Sequence, residues 1–221
     1  MLLVGNGIVV TRNNELGVIQ NGGVAIDGTK ICAVGPWEEL KKNYADATVI
    51  DAKGKVIMPA FINTHEHIYS ALARGLSING YAPKGFLDIL DGLWWNIDRH
   101  LTNDITYLSA VETYMECIKN GVTTIFDHHA SFGEIKDSLF AIGDAAKEMG
   151  VRSCLCYEIS DRDGVEKAKA AVLENEAWIN HALKDDTDMI AGMMGMHAQF
   201  TISDATMELA ASHKPEGVGY H

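Results

Sequence analysis

The sequence contains little proline, little cysteine and few positive charges, and it has no long apolar run. Only 4 of its 221 residues are proline, and no stretch reaches the ~18 consecutive apolar residues of a membrane-spanning helix. The N-terminus, MLLVGNGIVVTRNNELG, lacks the basic leader and apolar core of a secretion signal. These absences predict a cytoplasmic protein without a membrane partner.

The charge balance is strongly negative. Lysine and arginine total 18 while aspartate and glutamate total 30, so the formal net charge is −12. Such a chain repels the phosphates of nucleic acid, which we therefore exclude as the expected partner. Because 47% of the residues are hydrophobic, the chain has enough apolar material for a packed core.

The four cysteines do not form a Cys-x-x-Cys pair; they are Cys32, Cys117, Cys154 and Cys156. Their spacing favours neither a disulfide framework nor a thiolate zinc site. Free cysteine packs as a small apolar side chain, so we expect buried thiols.

Two segments differ in their pattern of apolar residues. Residues 1–56 contain short alternating strands separated by turns rich in glycine and asparagine, which predicts a small β-sandwich lobe. From residue 57 short apolar runs alternate with amphipathic helical patterns. Residues 57–221 are therefore expected to form an α/β architecture with parallel strands.

Polar residues end the successive strands of this second segment, as in a TIM-type (β/α)8 barrel. They are His65 and His67, Asp127 to His129, Glu158, and His197. The glycine-rich turn of a nucleotide-binding open sheet is replaced by Asn-Thr-His-Glu-His at residues 63–67. About four and a half of the eight strand-helix units are recognisable. We expect the first half of a barrel, completed by further residues or by a second polypeptide.

His65 and His67 stand two residues apart at the end of the first barrel strand. Strand periodicity directs both imidazoles to one face, where both can reach one metal ion. A catalytic site of this kind needs about three protein ligands and an open position for water. A His-x-His pair is weakly specific alone, but after a buried barrel strand it predicts a metal centre.

Three segments resemble motifs of the amidohydrolase superfamily. VIDAKGKVIMPAFINTHEH resembles the junction between lobe and barrel, GVTTIFDHH the second strand, and GMHAQFTIS the fourth strand. Together they are most similar to the branch that contains guanine deaminase and the chlorohydrolases. One departure is Ala60, which stands where the family commonly has glycine.

The resemblance implies a metal-dependent hydrolase that deaminates a purine-like or pyrimidine-like ring. His65 and His67 take the places of the first-strand metal ligands. No lysine occurs between Met194 and Phe200, where binuclear members have a carboxylated lysine, so one divalent ion is expected, zinc or alternatively iron. Dechlorination, hydrolysis of another C–N bond and a non-catalytic scaffold of this fold stay open.

The resemblance also implies which residues meet the substrate, a small heterocyclic molecule. His197 takes the place of a histidine that donates a hydrogen bond to it. Trp94 is expected to supply an apolar wall for a flat ring. Strand alternation sends one of His128 and His129 into the barrel mouth, and we take His128 as the candidate.

The remaining parts of the site are expected outside the chain. The proton-transferring glutamate and the other family ligands are expected beyond residue 221, so no catalytic acid or base is assigned. His221 itself is expected to face inward without binding the metal. We also expect a homo-oligomer.

Overall fold

A computed structural model describes every residue from Met1 to His221. The chain divides into two compact units, Met1–Ala60 and Phe61–His221. No helix in either unit is both long enough and apolar enough to cross a bilayer.

The first unit contains one mixed β-sheet. Its strands are β1 (Leu2–Val10), β2 (Val18–Asp27), β3 (Lys30–Pro36), β4 (Thr48–Asp51) and β5 (Val56–Ile57). Their order is β3-β2-β1-β4, and β5 pairs with β1. β1 runs antiparallel to β2 and parallel to β4 and β5.

A short helix, α1 (Trp37–Asn43), packs on this sheet. Trp37 and Leu40 lie three residues apart on one helix face and are buried with Leu3 and Ala25 of the sheet. The sequence pattern had indicated only strands here. Within these residues the covering element is therefore a helix rather than the second sheet of a sandwich.

The second unit contains a four-stranded parallel sheet in the order β6-β7-β8-β9. The strands are β6 (Phe61–Glu66), β7 (Val122–His129), β8 (Arg152–Tyr157) and β9 (Ile190–Gly192). The helices are α2 (Phe86–Ile89), α3 (Trp95–Asp98), α4 (Asn103–Lys119), α5 (Ser138–Met149), α6 (Val165–Ala182) and α7 (Asp204–His213), with a π-helical turn at Leu90–Trp94. This confirms the predicted alternation of parallel strands and helices.

The core of this unit contains side chains from both the sheet and the helices. Ile125 of β7, Leu155 of β8 and Trp178 of α6 are at most 1% exposed and belong to one cluster. Successive side chains of a strand point to opposite faces, so His129 shares the face of Ile125 while His128 points the other way.

The cysteines are all free thiols, as the sequence predicted. Cys117 and Cys156 are buried and Cys154 is partly buried, but Cys32 is exposed. The expectation of burial was wrong for Cys32 because it lies on β3, a strand at the edge of the first sheet.

Candidate active site

The second unit has a cavity of about 570 Å³ near the carboxyl ends of its parallel strands. Strand-end residues form one part of its lining, and these are His65, His67, His128, Glu158, His197 and His221. Apolar residues from the segment between β6 and α4 form another part, and these are Phe86, Leu90, Trp94 and Trp95. Barrel enzymes carry their chemistry at this end of the strands.

His65 and His67 bring two ring nitrogens together at the end of β6. Their Nε2 atoms lie 3.2 Å apart, and the rings meet edge to face. Two nitrogens bound to one tetrahedral ion at ~2.0–2.1 Å would be roughly 3.3 Å apart, so the spacing fits a shared ion. The chain has no group of three or more His, Cys, Asp or Glu side chains that could hold a metal. The pair therefore fits part of a metal site.

The hydrogen bond on the other side of His67 determines its tautomer. His67 Nδ1 lies 2.8 Å from the backbone carbonyl oxygen of His128. A carbonyl oxygen only accepts, so Nδ1 carries the proton and the neutral ring has a lone pair on Nε2. Metal-binding histidines are commonly held in this way.

His221 contacts the opposite nitrogen of His65. His221 Nε2 lies 2.8 Å from His65 Nδ1, and the two rings stack with their centroids 5.1 Å apart. When His65 Nδ1 donates in this contact, its Nε2 keeps a lone pair on the side of His67.

The turn that follows His67 is held by Asp127. Asp127 Oδ1 accepts a hydrogen bond from the backbone N–H of Ile68 at 2.7 Å, at the start of a 3-10 turn at Ile68–Ala73. Burial raises the pKa of Asp127 well above its usual value. This carboxyl group therefore orients backbone next to the histidine pair.

The two histidines that end β7 have different surroundings. His128 lines the cavity, and its Nε2 lies 3.3 Å from the carbonyl oxygen of Met196. His129 is fully buried, with its ring centroid 5.6 Å from that of Tyr157. Burial lowers the pKa of each histidine to about 3, so both are neutral near pH 7. The structure thus brings His128, and not His129, to the cavity.

His197 presents an acceptor to the cavity. Its Nδ1 lies 2.8 Å from Thr201 Oγ1, and this hydroxyl donates to the carbonyl oxygen of Ala198 at 2.7 Å. Because a hydroxyl has one proton, His197 Nδ1 must be the donor, which leaves the lone pair of the neutral ring on Nε2. Burial lowers the pKa of His197. The neutral ring therefore accepts, whereas the sequence resemblance implied a donor.

Trp94 and Trp95 form the aromatic part of the wall. Trp94 meets Tyr69 edge to face with ring centroids 6.3 Å apart, and Trp95 lies 6.4 Å from the ring of His197. Both indoles line the cavity, where they can exclude water from a flat ligand.

A buried charged cluster adjoins the cavity. Arg162 donates to Asp98 Oδ2 at 2.6 Å and to Glu158 Oε1 at 2.9 Å, and the guanidinium lies 3.8 Å from the ring centroid of Phe132. Burial raises the pKa of Asp98 above its usual value, and the ion pair with Arg162 opposes this shift. The sequence indicated only Glu158, as a strand-end residue. No local sequence pattern predicts the ion pair between Asp98 and Arg162, because the two residues are far apart in the chain.

Comparison with known families identifies the class of protein. Residues 56–216 match the model of the amidohydrolase family, so the chain belongs to that family. Residues 22–47 also match an imidazolonepropionase-like composite domain of bacteria.

Curated relatives include deaminases of adenosine derivatives. The chain is 29% identical over 222 aligned residues to a 5'-deoxyadenosine deaminase of Methanosarcina barkeri, covering 100% of the chain and 48% of the relative. It is 27% identical to a 5-methylthioadenosine/S-adenosylhomocysteine deaminase of Bacillus cytotoxicus, covering 92% of the chain and 45% of the relative. The chain thus spans about half the length of the curated relatives it matches.

Solved structures share the fold. Guanine deaminase of E. coli superposes with a TM-score of 0.77 at 20% identity, covering 100% of the chain and 53% of that structure. The zinc complex of atrazine chlorohydrolase from Arthrobacter aurescens has a TM-score of 0.75 at 21% identity, covering 96% of the chain and 51% of that structure. The four parallel strands of the second unit and the helices between them therefore form part of the barrel fold of the amidohydrolases.

Proposed function

We propose that the protein containing this chain is a metal-dependent hydrolase that deaminates an aminated nitrogen heterocycle. The observation that carries this proposal is the pair of Nε2 atoms of His65 and His67, 3.2 Å apart in a cavity with an aromatic wall. The names of the relatives, which refer to deamination of adenosine derivatives, support both the reaction and a purine-like substrate.

His65 and His67 hold one divalent ion, which when bound supplies Lewis-acid activation of water. The carbonyl oxygen of His128 fixes the His67 ring with its Nε2 lone pair free, and His221 orients His65 from the other side. Zinc is the preferred ion because a structure with the same fold is a zinc complex, and iron is the alternative.

Trp94 and Trp95 hold the flat ring and keep bulk water away from it. His128 lines the same space and contacts the ring, and His197 presents Nε2 to its polar edge. In a cavity from which water is excluded, each such hydrogen bond is stronger than it would be in solvent.

Hydrolytic dechlorination is the second candidate, since a fold neighbour is a chlorohydrolase. The two reactions are separated by the product, which is ammonia in one case and chloride in the other. A non-catalytic scaffold would release neither.

The test uses the full-length protein. Metal content is measured by mass spectrometry, ammonia release with 5'-deoxyadenosine, guanine and cytosine, and chloride release with atrazine. We expect H65A and H67A each to weaken metal binding by more than about 10-fold and to abolish turnover. H213A is the control, because His213 contacts Glu176 on α6 and does not line the cavity. Retention of metal and turnover by H65A and H67A would contradict the proposal.

Two further properties stay predictions. Cell fractionation tests the cytoplasmic location, and light scattering coupled to size-exclusion chromatography tests the homo-oligomeric state.

A further inference from the structure

Glu158 is a buried carboxylate for which the proposed reaction has no role. It follows β8 directly, is 4% exposed and lines the cavity. Its Oε1 accepts a hydrogen bond from Arg162 Nε, while its Oε2 lies 3.9 Å from His197 Nε2. One oxygen is thus engaged by protein, and the other lies beside a cavity histidine.

Arg162 holds this carboxylate in place. The guanidinium is 4% exposed, donates to both oxygens of Asp98 at 2.6 and 3.3 Å, and lies over the ring of Phe132. Arg162 is shared between the carboxylates of Asp98 and Glu158, so its single positive charge does not fully neutralise Glu158. A planar guanidinium held on several sides also has little freedom to move, so the orientation of Glu158 is fixed.

Glu158 Oε2 and His197 Nε2, which lie beside each other in the cavity, are both hydrogen-bond acceptors. Neutral His197 has its lone pair on Nε2, because its Nδ1 donates to Thr201 Oγ1. The 3.9 Å between this Nε2 and Glu158 Oε2 exceeds hydrogen-bond distance, so the two do not satisfy each other. Both atoms are acceptors on the cavity lining, where a ligand that brings N–H donors can satisfy them together.

We propose that Glu158 is a specificity-determining residue whose Oε2, together with His197 Nε2, accepts hydrogen bonds from amino or ring N–H groups of the substrate. Arg162 is its positioning residue. This inference rests on the proposed function, because it takes the same cavity as the substrate site. It adds that the substrate carries donors on the edge that faces β8, besides the group that reacts.

A binding measurement tests this without requiring turnover. The probes are 2,4-diaminopyrimidine, which carries two amino donors, and pyrimidine, which carries none. Binding to the full-length protein is followed by quenching of tryptophan fluorescence, since Trp94 and Trp95 line the cavity. A hydrogen bond to a charged group corresponds to roughly 10- to 100-fold in affinity, and we expect the protein to prefer diaminopyrimidine by this factor.

We expect E158Q to lose most of this preference. The variant should fold because Arg162 keeps its ion pair with Asp98. E158D, which retains the charge but withdraws it by one methylene, should give an intermediate preference. D163N is the matched control, since Asp163 pairs with Arg99 and does not line the cavity; it should keep the full preference.

Equal affinity of the unmodified protein for the two probes would overturn the inference, and so would a full preference in both E158Q and E158D. These outcomes are separable from failure of the proposed function. Ammonia release with unchanged discrimination in the Glu158 variants would overturn this inference alone. Loss of discrimination in E158Q, in a protein that hydrolyses none of the heterocycles, would overturn the deaminase proposal alone.

Discussion

Asp98 and Arg162 form a buried ion pair, with Oδ2 and Nη2 2.6 Å apart and side chains 0% and 4% exposed. The residues that follow them, Arg99 and Asp163, form a second pair of opposite polarity, which is 36% and 19% exposed. The two pairs join the end of α3, next to the tryptophan wall, to the loop that follows β8.

The two pairs should differ sharply in their contribution to stability. R162M leaves Asp98 and Glu158 buried without their cation, which is expected to lower the free energy of unfolding by about 3–5 kcal/mol. D163N breaks the more exposed pair and should cost at most about 1 kcal/mol. Urea denaturation of both variants measures the difference. Equal costs would show that burial of the inner pair does not matter.

Glu174 of α6 should make stability depend on pH. Its Oε1 and Oε2 accept hydrogen bonds from the backbone N–H groups of Leu139 and Asp137 at the start of α5. Burial raises its pKa from 4.5 to about 7. The folded state therefore holds the Glu174 proton to higher pH than the unfolded state does. The contribution of Glu174 to the free energy of unfolding therefore falls as pH rises from about 4.5 to 7, by on the order of 1 kcal/mol per pH unit.

E174Q removes this proton equilibrium. Relative to the unmodified protein, the variant should become more stable as the pH is raised through that window, as measured by urea denaturation at several pH values. E208Q, at an exposed position of α7, is the control and should leave the pH profile unchanged. A constant difference between E174Q and the unmodified protein would contradict the shifted pKa.

Gly143 of α5 should not tolerate alanine. Replacing glycine by alanine inside a helix normally stabilises it by about 0.5–1 kcal/mol. Here a Cβ would lie 2.3 Å from the ring of Trp178, so we expect G143A to destabilise the protein by about 1–3 kcal/mol. Combining G143A with W178F tests the cause, because the smaller ring should make the alanine less costly. If the effects of G143A and W178F on the free energy of unfolding simply add, the strain does not come from the contact between residue 143 and Trp178.

The thiols should differ in reactivity. Burial raises the pKa of Cys117 and Cys156, and it raises that of Cys154 to about 11, whereas Cys32 is exposed. Because the thiolate is the reactive form, C32S should remove one rapidly reacting thiol from the native protein in a titration with Ellman's reagent. C154S should leave the rapid phase unchanged, and the opposite result would contradict the assigned burial.

Several features of the site depend on residues close together in the chain. The two-residue spacing of His65 and His67 suffices to direct both rings to one side of a strand end. Trp94 could likewise be assigned to a wall, because long loops after barrel strands cover the mouth. The choice between His128 and His129 could not be made in this way, since it depends on which face of β7 packs against the helices.

The sequence by itself determined the alternation of parallel strands and helices, the histidine pair and the family, because periodicity and short motifs are local properties. Only the tertiary structure decided that Arg162 joins Asp98 to Glu158, that Glu174 of one helix satisfies the start of another, and that His197 offers an acceptor. These features are contacts between distant segments. Their energies come from burial and from hydrogen-bond partners that exist only after the chain has folded.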